Sequence, residues 1–292
     1  MTPAGSAEEA RPEGADTAAA APLPGGRAGA EDKDGGRPGA EDKDGGRAGA
    51  EGVLRIFAPT PGATRIVLVR HGEAVCNVTH VVGGVKGDTG LTELGRRQVS
   101  ALAARLAETG ELRGATALYS SVLPRAVETA GLLRPVVGGG DGGGDGAGDG
   151  DGDGDDGQLE LVQQCDLCEL HTGEADGMVW QEVIDTYGVP DWNVDEMAPL
   201  APGGESWAAF VQRSSGAVRA LVERHPGELV VAAVHAGVIE STMISFLGIT
   251  RDIYRRGWLR TLHASMTEWE WVPDDARWIL LRFNDACGIP RR

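Results

Sequence analysis

Two histidines in this 292-residue chain stand in the same setting. His71 follows the apolar run Ile66-Val67-Leu68-Val69, and His235 follows the run Leu229 to Val234. Such unbroken apolar runs predict strands buried on both faces. Ligands of open α/β sheets gather outside the carboxyl ends of the strands, so two strand-end histidines can meet across one pocket. Their neighbours are cationic. Arg70 precedes His71, and Arg125 falls in the first turn of a predicted helix behind Ser120-Ser121. A guanidinium presents a fork of donors that fits phosphate oxygens, and a helix N-terminus favours an anion as well. An imidazole inside such a cationic pocket suits phosphoryl chemistry.

Six segments, in order, widen this into a resemblance. Arg70-His71-Gly72-Glu73, Leu91-Thr92-Glu93-Leu94-Gly95 and Ser120 to Thr129 come first; Leu167-Cys168-Glu169, Pro202 to Ser206 and Val234-His235-Ala236-Gly237 follow. Together they resemble the histidine phosphatase superfamily, the phosphoglycerate mutase-like proteins, in its first branch. The resemblance implies that His71 attacks phosphorus and carries the phosphoryl group, which splits one hard displacement into two easier ones. Arg70, Arg125 and His235 would hold the equatorial oxygens. Glu169 matches the proton donor to the leaving oxygen, later the base for water. Asn77 and Gly84 match substrate-contacting positions. No metal or other cofactor is implied. His235 is followed by Ala236, not aspartate, which disfavours the acid-phosphatase and phytase branch. Singly, a strand-end histidine, Arg125 and Glu169 read as structural or surface residues. As a set they supply nucleophile, anion clamp and proton donor, which argues against a non-catalytic binding protein.

The elements that must position these residues alternate. Helices are predicted over Thr92 to Glu108, Pro124 to Leu133, Glu205 to Glu223 and Val238 to Leu247. Strands are predicted over the two runs above, Ala117 to Tyr119, Leu159 to Val162, Met266 to Val272 and Trp278 to Phe283. This alternation predicts an α/β three-layer sandwich with a largely parallel central sheet flanked by helices. Order is expected to begin near Thr64.

Composition sets the domain limits. Of 45 glycines, 12 lie in residues 1–60 and 12 in 138–157. A ten-residue unit beginning at Gly25 returns at Gly35 and begins again at Gly45, with nothing apolar larger than alanine to stack. Residues 1–60 are therefore expected to be a disordered tail, and 61–292 one domain with a Gly/Asp insertion at 138–157. The net charge of −17 disfavours nucleic acid and anionic membranes as partners. No apolar run nears the ~18 residues of a membrane span. The first residues lack a basic start and an apolar centre, so a cytoplasmic protein is expected. Oligomeric state is not legible.

Charge also bears on the substrate. By the resemblance, mutases supply lysines and arginines after the acid-carrying strand to hold a doubly anionic substrate. Residues 169–212 hold nine acids and no Lys or Arg, with His80, Lys86 and His171 the basic residues expected near the mouth. That favours hydrolysis of a phosphomonoester, a small phosphorylated metabolite with a weakly charged organic part, over phosphoglycerate mutation. Trp180, Trp192 and Trp207 are expected to pack rather than to line a pocket.

Two motifs stand apart. Asp149 to Glu160 fits the lettering of a calcium-binding EF-hand loop, but Gly138 to Gly148 cannot form its entering helix and Asp156 occupies an apolar position. Diffuse cation association is expected there, not a calcium-responsive switch. Cys165-x-x-Cys168 has no second pair, which argues against zinc. If the segment is extended, the two Cα atoms would lie about 10 Å apart, too far for a disulfide.

Overall fold

The computed structural model describes residues 59–138, 158–249, 257 and 259–291. Six strands form one sheet: β1 (Thr64–Arg70), β2 (Ala115–Ser120), β3 (Leu161–Gln163), β4 (Leu229–Val234), β5 (Met266–Val272) and β6 (Arg277–Asp285). Their order is β3-β2-β4-β1-β5-β6. β3, β2, β4 and β1 run parallel, and β5 and β6 add two antiparallel pairings at one side. The sheet is thus mostly parallel, as the alternation predicts.

Alternate residues of β1 and β4 feed two cores, because side chains along a strand point to opposite faces. Val67, Val69 and Val231 pack with Val99, Leu102 and Leu106 of α2 (Glu93–Thr109) and Leu133 of α3 (Pro124–Leu133). Ile66, Leu68, Val230 and Ala232 pack with Phe210, Val218 and Leu221 of α5 (Trp207–Arg224) and Val238, Ile239 and Met243 of α6 (Ala236–Leu247). Every residue of β4 is buried, which explains its unbroken apolar sequence.

The helix ends follow local chemistry. Thr92 accepts from the Gly95 amide and Ser206 from the Ala209 amide, satisfying donors that a helix start leaves unpaired. Gly110 and Gly248, at φ 66° and 64°, close α2 and α6 in the left-handed region. Two helices are not predicted by periodicity: α1 (Val75–Thr79) and α4 (Trp180–Tyr187). Five and eight residues are too few to display an apolar stripe, and α4 turns a single buried residue, Val183, to a small third core. The tryptophans pack as expected: Trp192 stacks on Trp207 with ring centroids 5.5 Å apart, and Trp180 lies against the third core.

The ten-residue repeat lies outside the described residues, as do 139–157 of the Gly/Asp stretch and the EF-hand-like run from Asp149 to Gly157. The described flanks of that stretch meet. Gly138 donates to the Leu112 carbonyl at 3.2 Å, and Arg134 Nε donates to the Leu159 carbonyl at 2.6 Å. Among the described residues no helix is long and apolar enough to cross a membrane.

Candidate functional site

His71 emerges directly from β1 and is almost fully buried. Its Nδ1 lies 2.7 Å from the Gly72 carbonyl oxygen, so Nδ1–H is the donor. Its Nε2 accepts from Arg125 Nε at 3.2 Å. Both contacts select one tautomer and leave a lone pair on Nε2 facing a guanidinium. Burial holds the His71 pKa well below its ordinary 6.5, and the charges of Arg125, His235, Arg70 and His263 push the same way. The ring is therefore neutral at pH 7, the form a nucleophile needs.

His235 caps the start of α6 at the end of β4, and its ring centroid lies 5.2 Å from that of His71. Its Nε2 is 2.7 Å from Ser121 Oγ, while Nδ1 is buried with no partner among the described residues. A buried ring nitrogen without a partner is unfavourable unless a ligand completes it, so Nδ1 marks where a polar atom of a ligand belongs. Burial, then Arg125, Arg70 and Arg213, lower the His235 pKa well below 6.5.

Arg125 is positioned by a residue that the sequence reading did not select. The fully buried Asp88 carboxylate takes Arg125 Nη1 at 2.9 Å and the Arg125 backbone amide at 3.1 Å. Nη1 also reaches the Gly83 carbonyl at 2.6 Å. Arg70 Nη1 bonds the Thr261 carbonyl, and Nη2 lies 3.0 Å from His263 Nε2. His263, with its ring centroid 5.7 Å from that of His71, was also missed. The signal for it was topological: β5 runs antiparallel to β1, with Met266 opposite Val69, so the residues before β5 arrive at the edge where β1 ends. A sequence read as strands alone does not reveal that direction.

Glu169 joins the same edge from the turn after β3. One carboxylate oxygen accepts from the Gly237 amide at 3.0 Å, in the first turn of α6, and the other from the Leu170 amide at 3.2 Å. A Cβ on Gly237 would lie 2.2 Å from that second oxygen, so glycine there makes room for the carboxylate. Asn77 uses its side-chain oxygen to accept from the Ala74 amide at 3.0 Å. Gly84 has a structural reason of its own: a Cβ there would fall 2.5 Å from Asp176, whose carboxylate bonds the Lys86 and Gly87 amides. Gly72 is likewise pressed against the Gly95 carbonyl of α2, which a Cβ would approach to 2.6 Å.

The site is thus a cluster of two buried, neutral histidines, the buried Arg125 and the half-buried Arg70 at the carboxyl ends of the strands, with a carboxylate against the adjoining helix start. Residues 66–139 and 153–286 match the histidine phosphatase superfamily (branch 1). The chain belongs to that superfamily. Among curated relatives it is similar to phosphoglycerate mutase-like protein 4 of Arabidopsis thaliana, 31% identical over 180 residues covering 60% of this chain and 68% of the relative. It is also similar to the metal-independent phosphoserine phosphatase of Arabidopsis thaliana, 30% identical over 61% of this chain and 66% of the relative. Among solved structures, Bacillus stearothermophilus YhfR superposes with a TM-score of 0.62 at 26% identity, covering 78% of this chain and all of that one. The mycobacterial glucosyl-3-phosphoglycerate phosphatase in complex with VO3 gives 0.57 at 27%, covering 76% of this chain and 99% of that one. This histidine phosphatase therefore has relatives that support phosphatase-type activity.

Proposed function

We propose that the protein hydrolyses a phosphomonoester through a phosphohistidine on His71. The observation that carries the reading is the His71 tautomer: Nδ1–H is held by Gly72 and the Nε2 lone pair faces the cationic cluster. Nε2 attacks phosphorus as the bond to the leaving oxygen breaks, and Glu169 delivers its proton to that oxygen. The Glu169 carboxylate then takes a proton from water, whose oxygen attacks phosphorus. The P–N bond breaks, returning neutral His71 and inorganic phosphate. Arg70, Arg125 and His235 Nδ1 donate to the phosphoryl oxygens, where charge is greatest in the transition state. Asn77 adds a donor at the rim, and no step requires a metal. Gly84 acts through the loop it packs, rather than on the substrate.

Hydrolysis is preferred to mutation because the segment from Glu169 to Gln212, which begins with the proposed proton donor, carries nine carboxylates and no Lys or Arg. Of these acids Glu205 is neutralised by Arg213 at 2.8 Å, while Asp176 is spent on backbone amides. The favoured substrate is a small metabolite monoester whose organic part carries little negative charge. The test uses an aryl phosphate and a panel of metabolite monoesters in chelator. Wild type is expected to turn over with mutase activity negligible beside hydrolysis, and His71→Ala to lose about a thousandfold or more. A fully active His71→Ala protein, chelator-sensitive hydrolysis, or equal mutase and phosphatase rates would overturn the reading.

A further inference from the structure

The segment that carries Glu169 brings together a second set of groups that phosphoryl transfer does not use. Extended backbone would separate Cys165 from Cys168, but residues Cys165–Leu167 form a tight 3-10 turn in which the Cys168 amide bonds the Cys165 carbonyl at 2.9 Å. The expectation of a wide separation is thereby corrected, because a turn closed by that bond brings its end residues within about 7 Å. His171 then folds back onto the turn, with Nε2 3.6 Å from Cys165 Sγ. The two sulfurs and one imidazole nitrogen all lie within 4.8 Å of one another. The sequence motif lacked a second cysteine pair; the fold supplies a histidine in its place.

We infer that Cys165, Cys168 and His171 form a binding site for one zinc-class divalent cation. Tetrahedral zinc at its usual bond lengths separates two thiolate ligands by about 3.8 Å and a thiolate from an imidazole by about 3.6 Å. The Cys165–His171 distance already has that value, and the third ligand needs only a small side-chain movement. Cys165 and His171 are exposed and give the ion a path, while the buried Cys168 forms the floor. The backbone is held for the purpose. Arg213 Nη1 donates to the Asp166 carbonyl at 2.8 Å and the Cys168 carbonyl at 3.2 Å, and Glu205 donates its amide to the His171 carbonyl at 2.7 Å. Two thiolates neutralise the dication, and a fourth position stays open to water. Glu169 lies between the second and third ligands, so an ion here would fix the backbone on both sides of it. Its three ligands are not members of the phosphate cluster, and the proposed phosphoryl transfer routes no step through its ion.

The test is a Co2+ titration of chelator-stripped, full-length protein under a phosphine reductant. One equivalent is expected to give a thiolate-to-cobalt charge-transfer band with tetrahedral d–d bands, displaced by Zn2+. Cys165→Ser and His171→Ala, each checked for a wild-type melting curve, should weaken binding at least about tenfold. His71→Ala should leave binding unchanged, which separates this site from the phosphatase reading. No charge-transfer band in wild type, or an undiminished one in folded Cys165→Ser, would overturn the proposal.

Discussion

His71 is poised by two ordinary contacts and by its burial, and each has a measurable consequence. A histidine whose folded pKa lies below 6.5 binds fewer protons folded than unfolded as pH falls through that value. Stability contributed by His71 and His235 is therefore complete above pH 6.5 and lost progressively below it. Melting temperature is expected to fall more steeply between about pH 6.5 and pH 5 in wild type than in His71→Gln/His235→Gln; parallel slopes would show that these rings titrate normally. Gly237 makes a second residue-scale case. A methyl group there meets Glu169 at 2.2 Å and Phe210 at 2.9 Å, so Gly237→Ala should displace the carboxylate. The loss should be about 10²-fold for alkyl phosphates, whose leaving oxygen needs a proton, and only a few-fold for activated aryl phosphates. Equal losses on both would show that Glu169 is not the proton donor.

At the scale of elements, the nucleophile loop depends on how closely α2 approaches β1. Gly72 and Gly95 face each other across that contact, and a Cβ on Gly95 would lie 2.0 Å from the Glu73 carbonyl oxygen. Gly95→Ala must push the helix and the loop apart. A loss of about 1–3 kcal/mol is expected by thermal or urea unfolding, with a fall in kcat because the displaced loop begins at His71. Unchanged stability would mean the contact relaxes without strain. Asp88 belongs to the same scale, since it ties the loop after α1 to the first turn of α3 through Arg125. Neither role was legible beforehand: a glycine or an aspartate in a loop has many reasons to be there, and only the partner's position selects one.

For the whole molecule, the Gly/Asp stretch joins two places that already touch. A Cβ on Gly138 would come within 2.5 Å of Leu159, and Arg134 bonds the Leu159 carbonyl. Replacing residues 140–156 by a short Gly/Ser linker is expected to preserve the melting transition and most phosphatase activity; loss of folding would assign that stretch a structural role. The fold behind this expectation is a sheet with two cores, one on each face, in which the parallel strands bring His71, His235 and Glu169 to one edge.

The strands, the four long helices and four of the pocket residues, Arg70, His71, Arg125 and His235, could be read from the chain alone. Their signals are local: unbroken apolar runs for β1 and β4, an apolar stripe ending in Gly110 for α2, and polar residues placed just past strand ends or at a helix start. Family resemblance added Glu169 and the roles. What the sequence left open depends on which residues become neighbours across long separations. The direction of β5 brings His263 beside Arg70, a buried carboxylate at Asp88 orients Arg125, and a 3-10 turn gathers Cys165, Cys168 and His171. Periodicity fixes which face a residue occupies, because it repeats within one element. Chain packing alone decides which face it meets, and both histidine chemistry and a cation site are properties of that meeting.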